Sequence, residues 1–373
     1  MTTLGVGIIG CGNISAAYLR LAPMFRGIEV RAVADMNMDA ARARADEFGV
    51  RAHTVDDLLG SDDIDIVVNL TIPSAHVEVS SKVLAAGKHV YSEKPFVLTL
   101  EEGAEIKKLA DDRNLRVGSA PDTFLGAAHQ QARKLVDDGT VGQVTSGTAF
   151  VMNHGLEDWH PNPDFFFLPG AGPVLDIGPY YVTNLVQLIG PVRRVAALSS
   201  TPQKTRTILS EPRKGEKIPV ETPTTIHALL EFENGAVITM CTSWDVWGHG
   251  HKPMELYGSN ASLDVPDPNF FGGDLVLTPA NGEAEVVTPW DHPFGIVNDE
   301  EHANYRTAGL ADMALAILED RPHRCSLELA LHAVEVMNGI LASGESGEFV
   351  AMTTSCERPD PLTPETATAM LQS

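Results

Sequence analysis

The sequence has no apolar run approaching the roughly 20 residues that a membrane helix needs, so no membrane partner is expected. Its first residues, Met-Thr-Thr-Leu-Gly, lack a basic region followed by a signal-type apolar segment, because glycines quickly interrupt Leu4 to Ile9. A cytoplasmic location is therefore expected. Basic residues are scarce: 27 Lys and Arg stand against 50 Asp and Glu, a formal charge of -23. That balance opposes a wide nucleic-acid or anionic-membrane surface, which needs a basic face. Cysteine is also sparse. Cys11, Cys241, Cys325 and Cys356 lie far apart with no CxxC spacing, which suggests reduced thiols rather than a zinc knuckle or a disulfide framework. His249-Gly250-His251, His154 with His160, and His302 form no HExxH or comparable pattern, so no metal is expected.

What is present is globular composition, 43% hydrophobic and 21% charged, over 373 residues. That length exceeds one ordinary core and predicts two domains. Leu4 to Ile9 reads as a buried strand, followed by Gly10-Cys11-Gly12-Asn13-Ile14-Ser15 and a helical pattern from Ala16. In this strand, glycine turn and helix start, the first glycine allows the turn and the second admits a dinucleotide's pyrophosphate to backbone amides. A literal GxGxxG at Gly5, Gly7 and Gly10 is a decoy, since its intervening residues belong to the strand. Ser15 stands where Gly or Ala is usual, and it is small enough for close helix packing. A second strand, Glu29 to Ala34, ends in Asp35. A carboxylate there accepts hydrogen bonds from ribose hydroxyls and repels a 2′-phosphate, and Met36-Asn37-Met38 offers no base to hold one, which favours NAD over NADP. The competing role for Asp35 is a helix N-cap.

The alternation continues with a short helix opened at Thr54, a strand Asp65 to Leu70, and a helix from Thr71-Ile72-Pro73-Ser74 towards Gly87. Next come a strand His89 to Ser92, a capping-box helix from Thr99, and a strand Arg116 to Ser119. This rhythm predicts a doubly wound parallel sheet, a Rossmann fold. Glu93-Lys94-Pro95 closes the fourth of these strands, presenting an acid and a base at the carboxyl edge where such sheets bind ligands. Proline stops the strand and aims Lys94 out of the sheet. Taken by itself, this is equally a surface turn with a solvated ion pair.

The chain resembles the glucose-fructose oxidoreductase and inositol dehydrogenase family, Gfo/Idh/MocA. The resemblance rests on Gly10-Cys11-Gly12-Asn13-Ile14, on Thr71-Ile72-Pro73 with His76, and above all on Ala86-Gly87-Lys88-His89-Val90 running into Glu93-Lys94-Pro95. It implies an N-terminal Rossmann domain, here 1–122, and a C-terminal α/β domain, here 123–373, with a large, open, mostly antiparallel sheet. It also implies that NAD is held by Gly10, Cys11, Gly12, Asn13, Ile14, Asp35, Thr71, Pro73, His76, Glu93, Lys94 and Pro121, and that Lys94 reaches substrate beside the nicotinamide.

Beyond Ala120 the rhythm changes. An amphipathic helix ends near Gly139, a strand runs from Gly142 to Val151, and a long aromatic loop from His154 to Gly172 contains Asp158-Trp159-His160-Pro161. Loops of that length are functional, mobile or pinned by prolines. If a helix includes Asp176, the spacing to Tyr180 puts both side chains on one face. A tyrosine at helical spacing is more often core, and Tyr181 fits that role. The family pattern Asp, one residue, Gly, one residue, His or Tyr carries Asp176 and Tyr180 over as catalytic positions, with Trp159 and His160 near substrate and His302 or Arg306 as further candidates. Tyrosine replaces the histidine of inositol dehydrogenases, which leaves the acid/base open between Tyr180 and Lys94. An ammonium beside a phenol lowers its pKa, which would make Tyr180 workable. Asp176 then orients a hydroxyl or Lys94.

The remainder reads as strands Val192 to Ser200, Thr224 to Phe232, Ala236 to Trp244, Met254 to Tyr257, Ala261 to Val265 and Asp274 to Leu277, with a hairpin at Asn234-Gly235. Thr201 to Pro223 reads as an excursion, helices fall at Glu301 to Glu319 and Ser326 to Ser343, and the tail after Met352 reads as an irregular strap. An open sheet face predicts a homo-oligomer through that sheet. The expected reaction is reversible NAD-dependent oxidation of a secondary hydroxyl on a sugar, anhydrosugar or cyclitol. The alternatives are an NAD-dependent glycosidase of the same fold or a non-catalytic NAD-binding regulator.

Overall fold

The computed structural model describes residues 3–372, and its contacts divide the chain into two units. The first takes the chain up to Gln130, Trp290–Val334 and everything from Pro359 on, and the second takes Gln131–Pro289 and Glu335–Arg358. Each is described by itself.

The first unit begins with β1 (Leu4–Ile9), α1 (Asn13–Leu21), β2 (Ile28–Ala34), α2 (Met38–Phe48), β3 (Arg51–His53), α3 (Val55–Leu59), β4 (Ile66–Asn69), α4 (His76–Ala85), β5 (His89–Ser92), α5 (Leu100–Asp111) and β6 (Val117–Ser119). The strands form a six-stranded parallel sheet in the order β3-β2-β1-β4-β5-β6. The order reverses between β1 and β4, a topological switch point where such sheets bind ligands. β1 and β4 are buried because Val6, Ile8, Ile66, Val67 and Val68 are all at 0% exposure. Gly5 and Gly7, the first two glycines of the decoy motif, belong to packing. A Cβ on Gly5 would sit 1.9 Å from the Asp63 carbonyl oxygen, and one on Gly7 would meet Leu58 at 2.8 Å. The helix α1 begins at Asn13, three positions before the expected Ala16, with Gly12 as its N-cap. At α5 the capping box forms as read, Thr99 accepting from Glu102 N while the Glu102 side chain takes the Thr99 amide.

The chain continues with α6 (Ala127–Asp137), β7 (Val144–Met152), α7 (Pro173–Ile189), β8 (Val192–Ser200), β9 (Thr205–Thr207), β10 (Lys217–Pro219), β11 (Thr225–Phe232), β12 (Val237–Ser243), β13 (Met254–Gly258), β14 (Ala261–Val265), β15 (Val276–Pro279), β16 (Glu285–Val286), α8 (Ala308–Glu319), α9 (Leu327–Ser346), β17 (Val350–Ala351) and α10 (Pro364–Met370). The second unit holds a nine-stranded sheet ordered β16-β15-β14-β13-β7-β12-β11-β8-β17. Its pairs are antiparallel except β7 with β12. The β11–β12 hairpin turns at Gly235, whose φ of 89° suits the Asn-Gly signal.

Thr201 to Pro223 does leave the nine-stranded sheet, and two other expectations change. The excursion is ordered: β9 and β10 pair, and Ile208, Ile218 and Val220 close a small core with Phe167 and Trp244. The helix read from Glu301 starts only at Ala308, because Thr307 adopts φ 102° and its amide is drawn to Asp122. The strap contains α10, capped by the Thr363 side chain. The expected linear division at 122 also differs from the contact units, since later helices pack against the first sheet's elements. A Cβ on Gly27 would meet Leu315 at 2.9 Å, and one on Gly118 would meet Met313 Sδ at 3.0 Å. Among the described residues, no helix is long and apolar enough to cross a membrane.

Candidate functional site

At the carboxyl edge of the first sheet, Gly10 adopts φ 104°, and a Cβ there would lie 2.5 Å from the Leu70 carbonyl oxygen. Only glycine makes that turn. Gly12 differs, because a Cβ there would meet nothing within 4 Å. No side chain caps α1, so its first amides face an open approach, the geometry that receives a phosphate. Ser15 uses its hydroxyl to donate to Gly12 O at 2.6 Å, a tether the sequence did not reveal.

Beside the turn lies a cavity of about 640 Å³ whose lining includes Gly10, Gly12, Asp35, Met36, Thr71 and Ile72. The Asp35 carboxylate is oriented in advance, accepting from Cys11 N and from Asn37 N, each at 2.8 Å. A carboxylate offers about four acceptor positions, so two amides leave capacity for ribose hydroxyls. Burial first, and then Asp35, push the Cys11 thiol up to about 11, which leaves it neutral. Arg44, absent from the sequence reading, reaches back from α2 to donate to Gly12 O at 3.3 Å while Glu47 holds its other nitrogen at 2.6 Å. No motif announces it, because 32 residues separate it from Gly12. These residues fit a dinucleotide: a Cβ-free cradle at Gly12, a helix N-terminus for the diphosphate, and a carboxylate for the ribose.

The β4–α4 connection is organised by Asn69, which is fully buried. Its Oδ1 accepts from the Thr71 hydroxyl at 2.7 Å, and its Nδ2 donates to His76 O at 3.0 Å. The only signal for it in sequence was a polar residue ending an apolar strand. At the neighbouring strand end, Glu93 N donates to Asn69 O at 2.9 Å. Glu93 Oε1 accepts from the buried Tyr18 hydroxyl at 2.9 Å, and Oε2 accepts from Lys94 N at 3.0 Å. The turn carrying Lys94 is thereby fixed through its backbone. Burial, then Glu93 and Asp122, drive the Tyr18 phenol well above its ordinary range, so it remains a donor. His76 is 1% exposed and faces two backbone carbonyls, while Pro73 is exposed. Pro121 is buried, with its carbonyl 3.9 Å from Cys325 Sγ. Asp122 beside it accepts from Thr307 N and Gly309 N, each at 3.0 Å.

In the second unit, α7 carries both Asp176 and Tyr180, one turn apart and on one face. Asp176 is half-buried and Tyr180 is 7% exposed. Tyr181 is core: it is 2% exposed, and burial, reinforced by Asp267, raises its phenol strongly. The aromatic loop is packed and pinned. Trp159 remains 62% exposed with its ring edge-on to His160 at 5.4 Å, and His160 is also flanked by Phe165 and Phe166. Ser210 donates to His160 O at 2.6 Å, tying the loop to the excursion. His302 is exposed and half-buried Arg306 belongs to the first unit. Among the described residues, no three His, Cys, Asp or Glu side chains gather as metal ligands.

Residues 4–120 match the family model described as "Oxidoreductase family, NAD-binding Rossmann fold", and residues 129–264 match "GFO/IDH/MocA C-terminal domain". The chain is 29% identical over 332 residues to levoglucosan dehydrogenase of Pseudarthrobacter phenanthrenivorans, covering 79% of this chain and 83% of that protein. It is 30% identical over 194 residues to an uncharacterised oxidoreductase of Schizosaccharomyces pombe, covering 48% of this chain and 52% of that one. Inositol 2-dehydrogenase of Salmonella agona is 30% identical over 148 residues, 38% of this chain and 44% of that enzyme. Among solved structures, levoglucosan dehydrogenase with NADH and levoglucosan superposes with a TM-score of 0.80 at 22% identity, over 95% of this chain and 100% of that one. At that identity the likeness shows the fold.

Proposed function

The chain belongs to the GFO/IDH/MocA family of oxidoreductases, and from that premise we propose that it reversibly oxidises a secondary hydroxyl of a sugar, anhydrosugar or cyclitol with NAD. The observation that carries this reading is the Lys94 turn: its backbone is fixed by Glu93 at the carboxyl edge of the sheet whose Gly10 turn and Asp35 form the dinucleotide cradle. Names among the relatives point to the same substrate class, an anhydrosugar in one and inositol in another.

Bound NAD supplies the hydride acceptor. The residues of this chain do the rest. Lys94 Nζ holds the reacting oxygen, Tyr180, as the phenolate that the Lys94 ammonium favours, takes the hydroxyl proton at Oη and becomes the neutral phenol, and Asp176 orients a neighbouring substrate hydroxyl. Trp159 offers a flat apolar surface and His160 a polar edge for a sugar ring. The roles of Lys94, Asp176 and Tyr180 rest on the family's residue pattern, those of Trp159 and His160 on their side-chain chemistry alone, and Asp35, whose charge opposes a 2′-phosphate, supports the preference for NAD over NADP. The test is a panel of sugars, anhydrosugars and inositols followed by NADH absorbance, with NADP in parallel. Turnover of at least one polyol with NAD is expected, and silence across the panel defeats the reading.

Assembly through the second unit's sheet is part of the proposal. Its outward face carries Leu198 at 74%, Leu229 at 47% and Val237 at 40% exposure, an apolar patch that a second copy would cover. Light scattering should find an oligomer that Leu229→Glu dissociates. A monomeric wild type rejects it.

A further inference from the structure

His76 opens α4 with its ring 1% exposed and an oxygen acceptor at each nitrogen. Nδ1 lies 2.8 Å from Pro95 O, and Nε2 lies 3.0 Å from Thr71 O. A carbonyl only accepts. Each nitrogen therefore serves its carbonyl only while it carries hydrogen, and a neutral ring carries one. Both contacts are hydrogen bonds at once in the doubly protonated ring, whereas either neutral tautomer holds one carbonyl and turns a lone pair to the other. The two carbonyls belong to segments with different tasks. Thr71 lines the cavity beside the glycine turn, and Pro95 follows Lys94 directly. The backbone that carries the ring is held as well, since Asn69 Nδ2 donates to His76 O at 3.0 Å.

We propose that His76 is a positioning residue that couples the cofactor loop to the lysine turn, with Nε2 holding Thr71 and Nδ1 holding Pro95. This deepens the proposed function and rests on it in one respect, that the Thr71 loop serves NADH and Lys94 serves the reacting oxygen. The cofactor loop and the catalytic turn then share one rigid side chain, so each nitrogen controls a different kinetic parameter.

Two substitutions separate the nitrogens. An Asn amide nitrogen stands near the place of Nδ1, and a Gln amide nitrogen near that of Nε2. With His76→Asn the bond to Pro95 survives and the bond to Thr71 is lost. The larger loss should fall on NADH affinity, with Kd by fluorescence titration rising about 3- to 10-fold, the range of one net hydrogen bond. With His76→Gln the larger loss should fall on kcat, by about 10- to 100-fold, the scale of a misplaced catalytic group, while Kd stays within about twofold. His76→Ala should lose both. Equal losses of affinity and kcat in the Asn and Gln variants, or none in either, overturn the proposal. Should the variants fail to fold, nitrogen NMR of the wild-type ring decides: NADH must shift both ring signals, and an unmoved pair rejects the coupling. If the wild type binds NADH but oxidises no member of the panel, the oxidation reading fails, while the Kd contrast between the two variants still decides the role of His76.

Discussion

Lys94 has its backbone N–H on Glu93 and its neighbour Pro95 on His76, so replacing its side chain leaves the turn's scaffold standing. Lys94→Ala is expected to lower kcat by about 10²- to 10⁴-fold, the usual weight of a positioned proton-transfer or charge-holding group, with NADH Kd within about twofold. Normal turnover in this variant would remove Lys94 from the chemistry. Tyr180→Phe should cost kcat on the same scale, and retained activity would move proton transfer to Lys94. Asp122 makes a different kind of prediction. Burial raises its carboxyl from 3.8 to about 6, against the pull of the Gly309 amide, Arg306 and the Thr307 amide. A carboxyl whose pKa rises on folding stabilises the fold below its unfolded pKa, and that contribution fades as pH climbs through the folded value. Wild-type Tm should therefore carry a declining component between about pH 4 and 6. Asp122→Asn keeps an oxygen for the two amides and removes the charge, so its Tm profile should be flatter across that window. Parallel profiles would show that Asp122 does not titrate there.

Among elements, the β9–β10 hairpin shows what patterning conveys and what it does not. In the first sheet the edge strand β3, Arg51–His53, has no apolar run and was missed, whereas the other five strands were legible as short apolar runs, the composition that buried parallel strands demand. The same holds for Val192 to Ser200 and Ala261 to Val265, whose bounds coincide with β8 and β14. Three-residue strands rich in Lys, Arg and Pro carry no such period, and tertiary contacts hold them. Arg206 sits in β9 with its side chain 2% exposed, paired to Glu157 at 3.0 Å and to Asp245 at 2.6 Å, and donates to Trp244 O at 2.7 Å. Glu157 lies in the aromatic loop, so the hairpin and the loop are fastened by one guanidinium. Arg206→Ala leaves the buried Glu157 carboxylate and the half-buried Asp245 without that partner and should cost about 3–5 kcal/mol in denaturant unfolding. A loss under about 1 kcal/mol, the worth of a surface pair, would show that the triad is not buried in solution. The site divides in the same way. Gly10, Asp35 and Glu93-Lys94 were visible as motif, Asn69 showed only as a polar residue ending an apolar strand, and Tyr18 and Arg44 were hidden because their meaning arises from distant partners.

At the scale of the whole molecule, the first unit is assembled from separate stretches of chain. The strap returns to it through Arg26 N to Met370 O and Gln372 N to Met24 O, each at 2.8 Å, next to the end of α1. Leu362 and Met370 are buried at 0% and 2% exposure. Each such side chain contributes about 1.5–3 kcal/mol when fully buried, so the strap supplies a large share of a domain's usual margin. A fragment ending at residue 122 lacks both the strap and the helix carrying Met313 and Leu315, and it should fail to bind NADH, as fluorescence titration would show. Wild-type affinity in that fragment would mean that the sheet is self-sufficient.

The same interleaving imposes an order in time. A ribosome releases the six strands of the parallel sheet together with helices α1 to α5, whereas α8, which packs on β6, and the strap follow only later. Domains ordinarily fold as they emerge, N-terminal part first. Here the contacts of Leu315 and Met313 beside Gly27 and Gly118, and the strap's bonds to Arg26 and Met24, become available only after strands β7 to β16 of the second unit have been made.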